Sequence, residues 1–281
     1  MATDQQNAYW TTNVADVVDA DVYIRGYSLA ELMGRLPFAG ATYLLVRGEI
    51  PTPGQARMVD AMLCSILDYS LYKPGTAAAR YTVSGNPQMT AGMAVAVLSV
   101  GEYTLAPEDS GRFISGSYRR YKDSGASMDE FAATFVAEFT ADGGRVPGIG
   151  HPKFKYEDPR AQNLKRVAQE EGVWGEIGDW YEAVHRAFIA RKQKPHIPIN
   201  EVGMMAAILA QMGFTPAEMT GIALISSLPG VIAHISEEIE SKTRIRIIPD
   251  EVAYYPRERR DLDADLEAAG WSSNGAGPAV T

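Results

Sequence analysis

The 281-residue chain is 46% hydrophobic and 22% charged, the balance of a protein that buries a real core, and its length suits one domain or two. A formal charge of -9 with no Lys/Arg run argues against nucleic acid as a partner. The single cysteine, Cys64, excludes an internal disulfide; its apolar setting from Met62 to Leu67 predicts a buried thiol and a reducing compartment. Met1–Gln6 has neither a basic region nor an apolar run, and no window reads as the roughly 18 apolar residues of a membrane span, so the expectation is a cytoplasmic protein without a membrane partner.

Helix starts recur along the chain. Ser28 with Glu31, Thr52 with Gln55, Ser127 with Glu130 and Thr215 with Glu218 match capping boxes, in which the cap oxygen and the third side chain satisfy orphan amides reciprocally. Pro53, Pro159 and Pro216 stand at first helical positions, where a missing N–H costs nothing. Behind these caps, apolar residues fall at helical spacing: Ala56, Val59, Met62, Leu63 and Ile66; Phe131, Phe135 and Phe139; Met219, Ile222 and Ala223. Met89–Val100 is apolar nearly all round and rich in small residues, which predicts deep burial in a core or a subunit interface. The best alternation is the short Arg244–Ile248, so the fold class is all-α. After Pro256 the chain becomes charged, then small and polar, and 257–281 reads as an extended tail.

One loop concentrates chemistry. Gly148-Ile149-Gly150-His151 is followed by Lys153, Lys155 and the helix start Asp158-Pro159-Arg160, so an imidazole, two ammoniums and a guanidinium lie within thirteen residues of flexible backbone. Glycines at 148 and 150 would let the main chain approach a ligand, and the cations beside a helix N-terminus suit phosphate or carboxylate. The plain alternative is a surface loop with solvated lysines and a capped helix, and the motif alone does not decide.

The segment resembles the GxGH and DPR signature of the citrate synthase and citryl-CoA lyase superfamily. Ile24-Arg25-Gly26-Tyr27 through Tyr43–Thr52 resembles that family's N-terminal segment, Pro198-Ile199-Asn200 its PNVD segment, and Gly230-Val231-Ile232-Ala233-His234 with Glu237-Glu238 its GxxAHxxE segment. The resemblance implies an all-helical homodimer. Its large domain would comprise 1–103 and 208–281, and a smaller inserted domain, 104–207, would close over substrate. It implies that His151 holds a carbonyl or hydroxyl oxygen, that Arg160 and His234 bind substrate, and that Gly148, Gly150, Lys153, Lys155, Lys192 and Lys194 face coenzyme A, with no metal.

The departures from the family pattern are as informative. The family's catalytic aspartate falls on Val202, its HGGAxE segment aligns with Tyr103–Glu108, and an arginine expected near the GxxAH glycine is Ser227. Glu201 and Tyr103 are the candidate replacements among catalytic groups. Glu201 equally reads as a first-turn carboxylate beside the helix dipole, Tyr103 as a packing residue, Glu108 as an acid–base group or a cap, and His234 as a core histidine. The resulting expectation is a carbon–carbon lyase or synthase acting on a hydroxy-polycarboxylate or its CoA thioester, and not an efficient citrate synthase. Two alternatives stay open: an impaired paralogue that binds a CoA ester or an organic acid, and an aldolase-type lyase that works without CoA.

Overall fold

The structure, a computed structural model, describes residues 8–101, 103–105 and 107–271. The chain divides into a unit Met1–Arg244 and a unit Ile245–Thr281. In the first, strands β1 (Ala15–Val18), β2 (Asp21–Ile24) and β3 (Tyr27–Ser28) form a small antiparallel sheet, followed by α1 (Leu29–Leu32), α2 (Phe38–Arg47), α3 (Pro53–Ser65), α4 (Pro74–Gly85) and α5 (Met89–Leu98). Then come α6 (Pro107–Ser124), α7 (Met128–Phe139), α8 (Pro159–Glu170), α9 (Glu176–Lys192), α10 (Glu201–Gln211) and α11 (Pro216–Glu240). The second unit holds a short turn at Asp250–Val252 and α12 (Leu262–Ala268), so part of the expected tail is helical; residues 272–281 of that tail lie outside the described residues.

The all-α reading holds, with one addition. The hairpin between β2 and β3 turns on Arg25 and Gly26, both at positive φ (50° and 87°), the backbone that a tight two-residue hairpin requires. The Arg25 guanidinium donates to the Leu45 carbonyl and ties the turn to the end of α2. Arg244–Ile248, by contrast, forms no strand.

Two of the four capping boxes form, at Thr52/Gln55 and Thr215/Glu218. The other two spend their hydroxyls elsewhere: Ser28 donates to Asp21 (2.6 Å) and Ser127 to the Glu130 carboxylate (2.6 Å). Cys64 is exposed in this chain, because it faces outward on α3 while Met58, Val59 and Met62 turn inward. On α5 only Gly92 and Ala96 are buried and Leu98 is largely exposed, so that helix is half-covered rather than deep.

The central element is α10, apolar all round from Val202 to Ala210 and buried along almost its whole length between α6, α8 and α9. Helix α11 is long and apolar enough to cross a membrane by length and composition, more than the sequence reading allowed. Its Met219, Ile222, Ala223, Val231 and Ile235 are buried within the unit, as in a core helix.

The loop before α8 meets α10 backbone to backbone. Asn200 N–H donates to the Gly148 carbonyl (2.9 Å), Gly150 N–H to the Pro198 carbonyl (2.7 Å), and the Asn200 side-chain amide to the Gly150 carbonyl (2.9 Å). A Cβ on Gly203 would lie 2.5 Å from the Gly148 carbonyl oxygen. Gly203→Ala should therefore cost about 1–3 kcal/mol of stability through overpacking, read as a lower urea midpoint with an unchanged m-value.

Candidate active site

A cleft of about 240 Å³ opens where five segments meet: the turn after α3 (Ile66, Tyr69, Tyr72), Lys73 and Pro74 at the start of α4, Tyr103–Leu105, His151 with Arg160, and Asn200–Val202 at the start of α10. The N-termini of α8 and α10 are joined by one carboxylate. Asp158, fully buried, caps α8 through the Arg160 amide (3.0 Å) and accepts from the Glu201 amide (3.2 Å) at the first turn of α10. Its two oxygens also take the Arg160 guanidinium, Nε at 3.0 Å and Nη2 at 2.7 Å. That fork fixes the guanidinium plane at the cleft wall.

His151 is oriented from behind. Its Nδ1 accepts from the amides of Lys153 (3.1 Å) and Phe154 (3.0 Å), so the neutral ring carries its proton on Nε2. Burial, and then the nearby Arg160, push the imidazolium below its ordinary range, which keeps the ring neutral near pH 7. Nε2 stands 3.3 Å from Arg160 Nη2. Two N–H donors thus converge at the cleft, an arrangement completed by an oxygen acceptor that both can reach. Tyr69 packs edge-on to His151 and beneath Arg160, while Phe154 stacks on the other side of the imidazole.

Glu201 borders the same space yet is only 1% exposed. Burial raises its carboxyl to about 7, against the opposing pull of Arg160 and of a hydrogen bond with Ser65. Ser65 Oγ lies 2.9 Å from the Met62 carbonyl and 3.0 Å from Glu201 Oε1. With one hydroxyl proton given to Met62, Oγ becomes an acceptor for a protonated Glu201; with that proton turned to Glu201, it stabilises the carboxylate. Val202 also lines the cleft. At the first turn of α10 both residues therefore border the cleft.

The turn after α3 is held by α11. Pro229 lies inside that helix and supplies no N–H to its ladder, and the next amide, Gly230, donates to the Leu67 carbonyl (3.1 Å). His234 Nε2 meets Asp68 Oδ2 at 3.1 Å. Gly230 and His234 therefore set the cleft wall from behind, and His234 is not among the cleft-lining residues.

Other expected site residues scatter. Tyr103 lines the cleft but is 91% exposed, whereas Glu108 pairs with Arg112 beside a different hollow. Ser227 is buried in α11 and donates to the Leu224 carbonyl (3.0 Å), away from the cleft lining. A Cβ on Gly148 would lie 2.5 Å from Gly203 Cα, so this glycine is needed where the loop crosses the start of α10. A second hollow of about 470 Å³ shares His151 with the cleft, is also lined by Gly150, and carries the cations Arg145, Lys155 and Lys194. Lys155 Nζ donates to the His151 carbonyl (3.3 Å), and Lys153 Nζ lies 3.4 Å above the Tyr72 ring. Lys192 lines neither hollow. Among the described residues no group of three or more His, Cys, Asp or Glu side chains is placed to hold a metal ion. Sequence reasoning passed over Tyr69 and Lys73; the turn at Tyr72–Gly75 was visible only as a loop.

Residues 53–248 match the family model for the citrate synthase C-terminal domain. The chain belongs to the citrate synthase family. Among solved structures, this family member resembles citryl-CoA lyase from Hydrogenobacter thermophilus at 33% identity and a TM-score of 0.83, over 92% of this chain and 100% of that one. It shares its fold with ATP citrate lyase from Methanothrix soehngenii, solved with citrate and coenzyme A, at 18% identity and a TM-score of 0.75, over 91% of this chain and 43% of that one. It is 29% identical over 122 residues to citrate synthase 2 of Bacillus subtilis (strain 168); the match covers 41% of this chain and about a third (32%) of the Bacillus enzyme.

The Glu201 shift carries a stability consequence. A carboxyl raised on folding binds its proton more tightly in the native state, so its contribution is fully present below the unfolded value near 4.5 and is lost as pH rises through about 7. The size of that loss is on the order of 3 kcal/mol. Urea denaturation at pH 5 and pH 8 should show wild type losing stability relative to Glu201→Gln across this window; parallel profiles would mean that Glu201 ionises normally.

Proposed function

We propose that the protein is a carbon–carbon lyase that cleaves a hydroxy-polycarboxyl-CoA thioester, of the citryl-CoA lyase kind. The observation that carries this reading is the convergence of two N–H donors, His151 Nε2 and Arg160 Nη2, beside a buried carboxyl poised near 7. Cleavage needs those parts. As the carbon–carbon bond breaks, the substrate hydroxyl becomes a carbonyl, and donors aimed at that oxygen and at an adjoining carboxylate hold the keto-acid half. Ionised Glu201 accepts the hydroxyl proton, and as the neutral acid it returns a proton to the enolate carbon of the leaving thioester. A pKa near the working pH suits a group that must act in both senses. Tyr103, among the cleft-lining residues, would donate to the thioester oxygen. Gly150, Lys155 and Lys194 would take the CoA phosphates, with Lys153 and Lys192 at the periphery. The 104–207 segment is the part we expect to close over substrate.

The similarity to citryl-CoA lyase over 92% of this chain and all of that one supports this choice of direction. A second reading, a CoA-ester-binding paralogue without turnover, is favoured by one observation: Val202 places an apolar wall where the family resemblance expects a carboxylate.

Incubation with citryl-CoA should release oxaloacetate, read through coupled reduction by malate dehydrogenase, while acetyl-CoA and oxaloacetate should yield no appreciable citrate. Glu201→Gln should lower kcat about 10²–10⁴-fold with a much smaller change in KM. Saturable citryl-CoA binding with no cleavage would select the second reading.

The active form is proposed as a homodimer. Unit one exposes the large apolar side chains Trp10, Val17, Tyr23, Met33, Phe38 and Leu98, which a second copy could cover. Sedimentation at micromolar concentration should give about twice the chain mass; a monomer would remove this part of the proposal.

A further inference from the structure

The cleft holds a cation that the lyase reading has not used. Lys73 immediately precedes α4, lines the cleft with Arg160 and Glu201, and is half-buried. Among the described residues no carboxylate lies within ion-pair distance of it. Asp68, the acid whose field it feels, is outside the cleft lining, and its Oδ2 meets His234 (3.1 Å) and accepts from the Ser70 amide (3.0 Å). Burial pushes the Lys73 amine down while Asp68 opposes that shift, as for an ammonium removed from water without a partner.

The other charges of the cleft are spoken for. Arg160 is neutralised by the fully buried Asp158, and burial pushes both His151 and Glu201 toward their neutral forms. Lys73 is the surplus positive charge. Ser227, where the family resemblance expects an arginine, is turned into α11 and cannot supply one.

We infer that Lys73 binds a second carboxylate of the keto-acid half and thereby sets the enzyme's preference for dicarboxylic over monocarboxylic 2-oxo acids. The inference rests on the lyase reading: His151 and Arg160 take the 2-oxo-carboxylate end, and Lys73, on a different segment of the same cleft, takes the far end. A buried ammonium without a partner is costly, so an anion that meets it recovers interaction that water no longer provides. A ligand with a methyl group in place of that carboxylate leaves Lys73 unpaired.

The test uses calorimetry on the full chain with two probes, oxaloacetate and pyruvate, and three proteins: wild type, Lys73→Met and Lys73→Arg. Wild type should bind oxaloacetate at least about tenfold more tightly than pyruvate, a difference of about 1.4 kcal/mol. Lys73→Met should abolish that preference by weakening oxaloacetate alone, and Lys73→Arg should restore most of it. Pyruvate affinity should stay within about twofold throughout, which also reports that the cleft remains folded. A preference that survives in Lys73→Met overturns the Lys73 assignment while leaving the lyase reading intact. Wild type that binds neither acid overturns both.

Discussion

The site depends on one buried carboxylate. Asp158 accepts from the first turns of α8 and α10 and from the Arg160 guanidinium, so a single side chain sets two helix N-termini and the cleft's principal cation at fixed spacing. A fully buried carboxylate is tolerable only with this many donors; removing one leaves an uncompensated charge in the interior. The two donors of the cleft are therefore unequal. His151 hangs from backbone amides, and its ring can be changed without stranding a charge. Arg160 belongs to the fold as well as to the ligand, and its loss confounds binding with stability.

A second layer of support comes from the far end of the sequence. Pro229 breaks the ladder of α11 where the Leu67 carbonyl needs a donor, Gly230 is small enough to come close, and His234 takes Asp68. The cleft wall carrying Tyr69 and Lys73 is thus fixed by residues more than 150 positions away.

How much was legible follows from which interactions are local. Proline at first helical positions, the two capping boxes that formed and the apolar spacing of α3, α7 and α11 gave the helices, because those signals act within one turn. The small sheet was missed because its strands are two to four residues long and its hairpin turns on Arg25 rather than on a residue typical of positive φ. His151 and Arg160 were found as neighbours because they lie nine residues apart. Lys73 and the burial of Glu201 were not evident, since what singles them out is desolvation by segments distant in the chain. At Gly148 the sequence reveals a need for close approach but not that Gly203 is among the groups that approach.

The two amides that hold His151 Nδ1 have a further consequence. A ring locked in the Nε2–H tautomer is an electrophile, able to polarise an oxygen but with no lone pair turned to the cleft for accepting a proton. In the lyase reading, proton traffic then falls to Glu201 alone, and that carboxyl is nearly sealed from water. On that reading the proton taken from the substrate hydroxyl would be held beside the enolate it creates, and the hydrogen arriving on carbon would be the one that left oxygen. Such a reaction would be an internal relay, with the bulk solvent a spectator for the lifetime of a turnover.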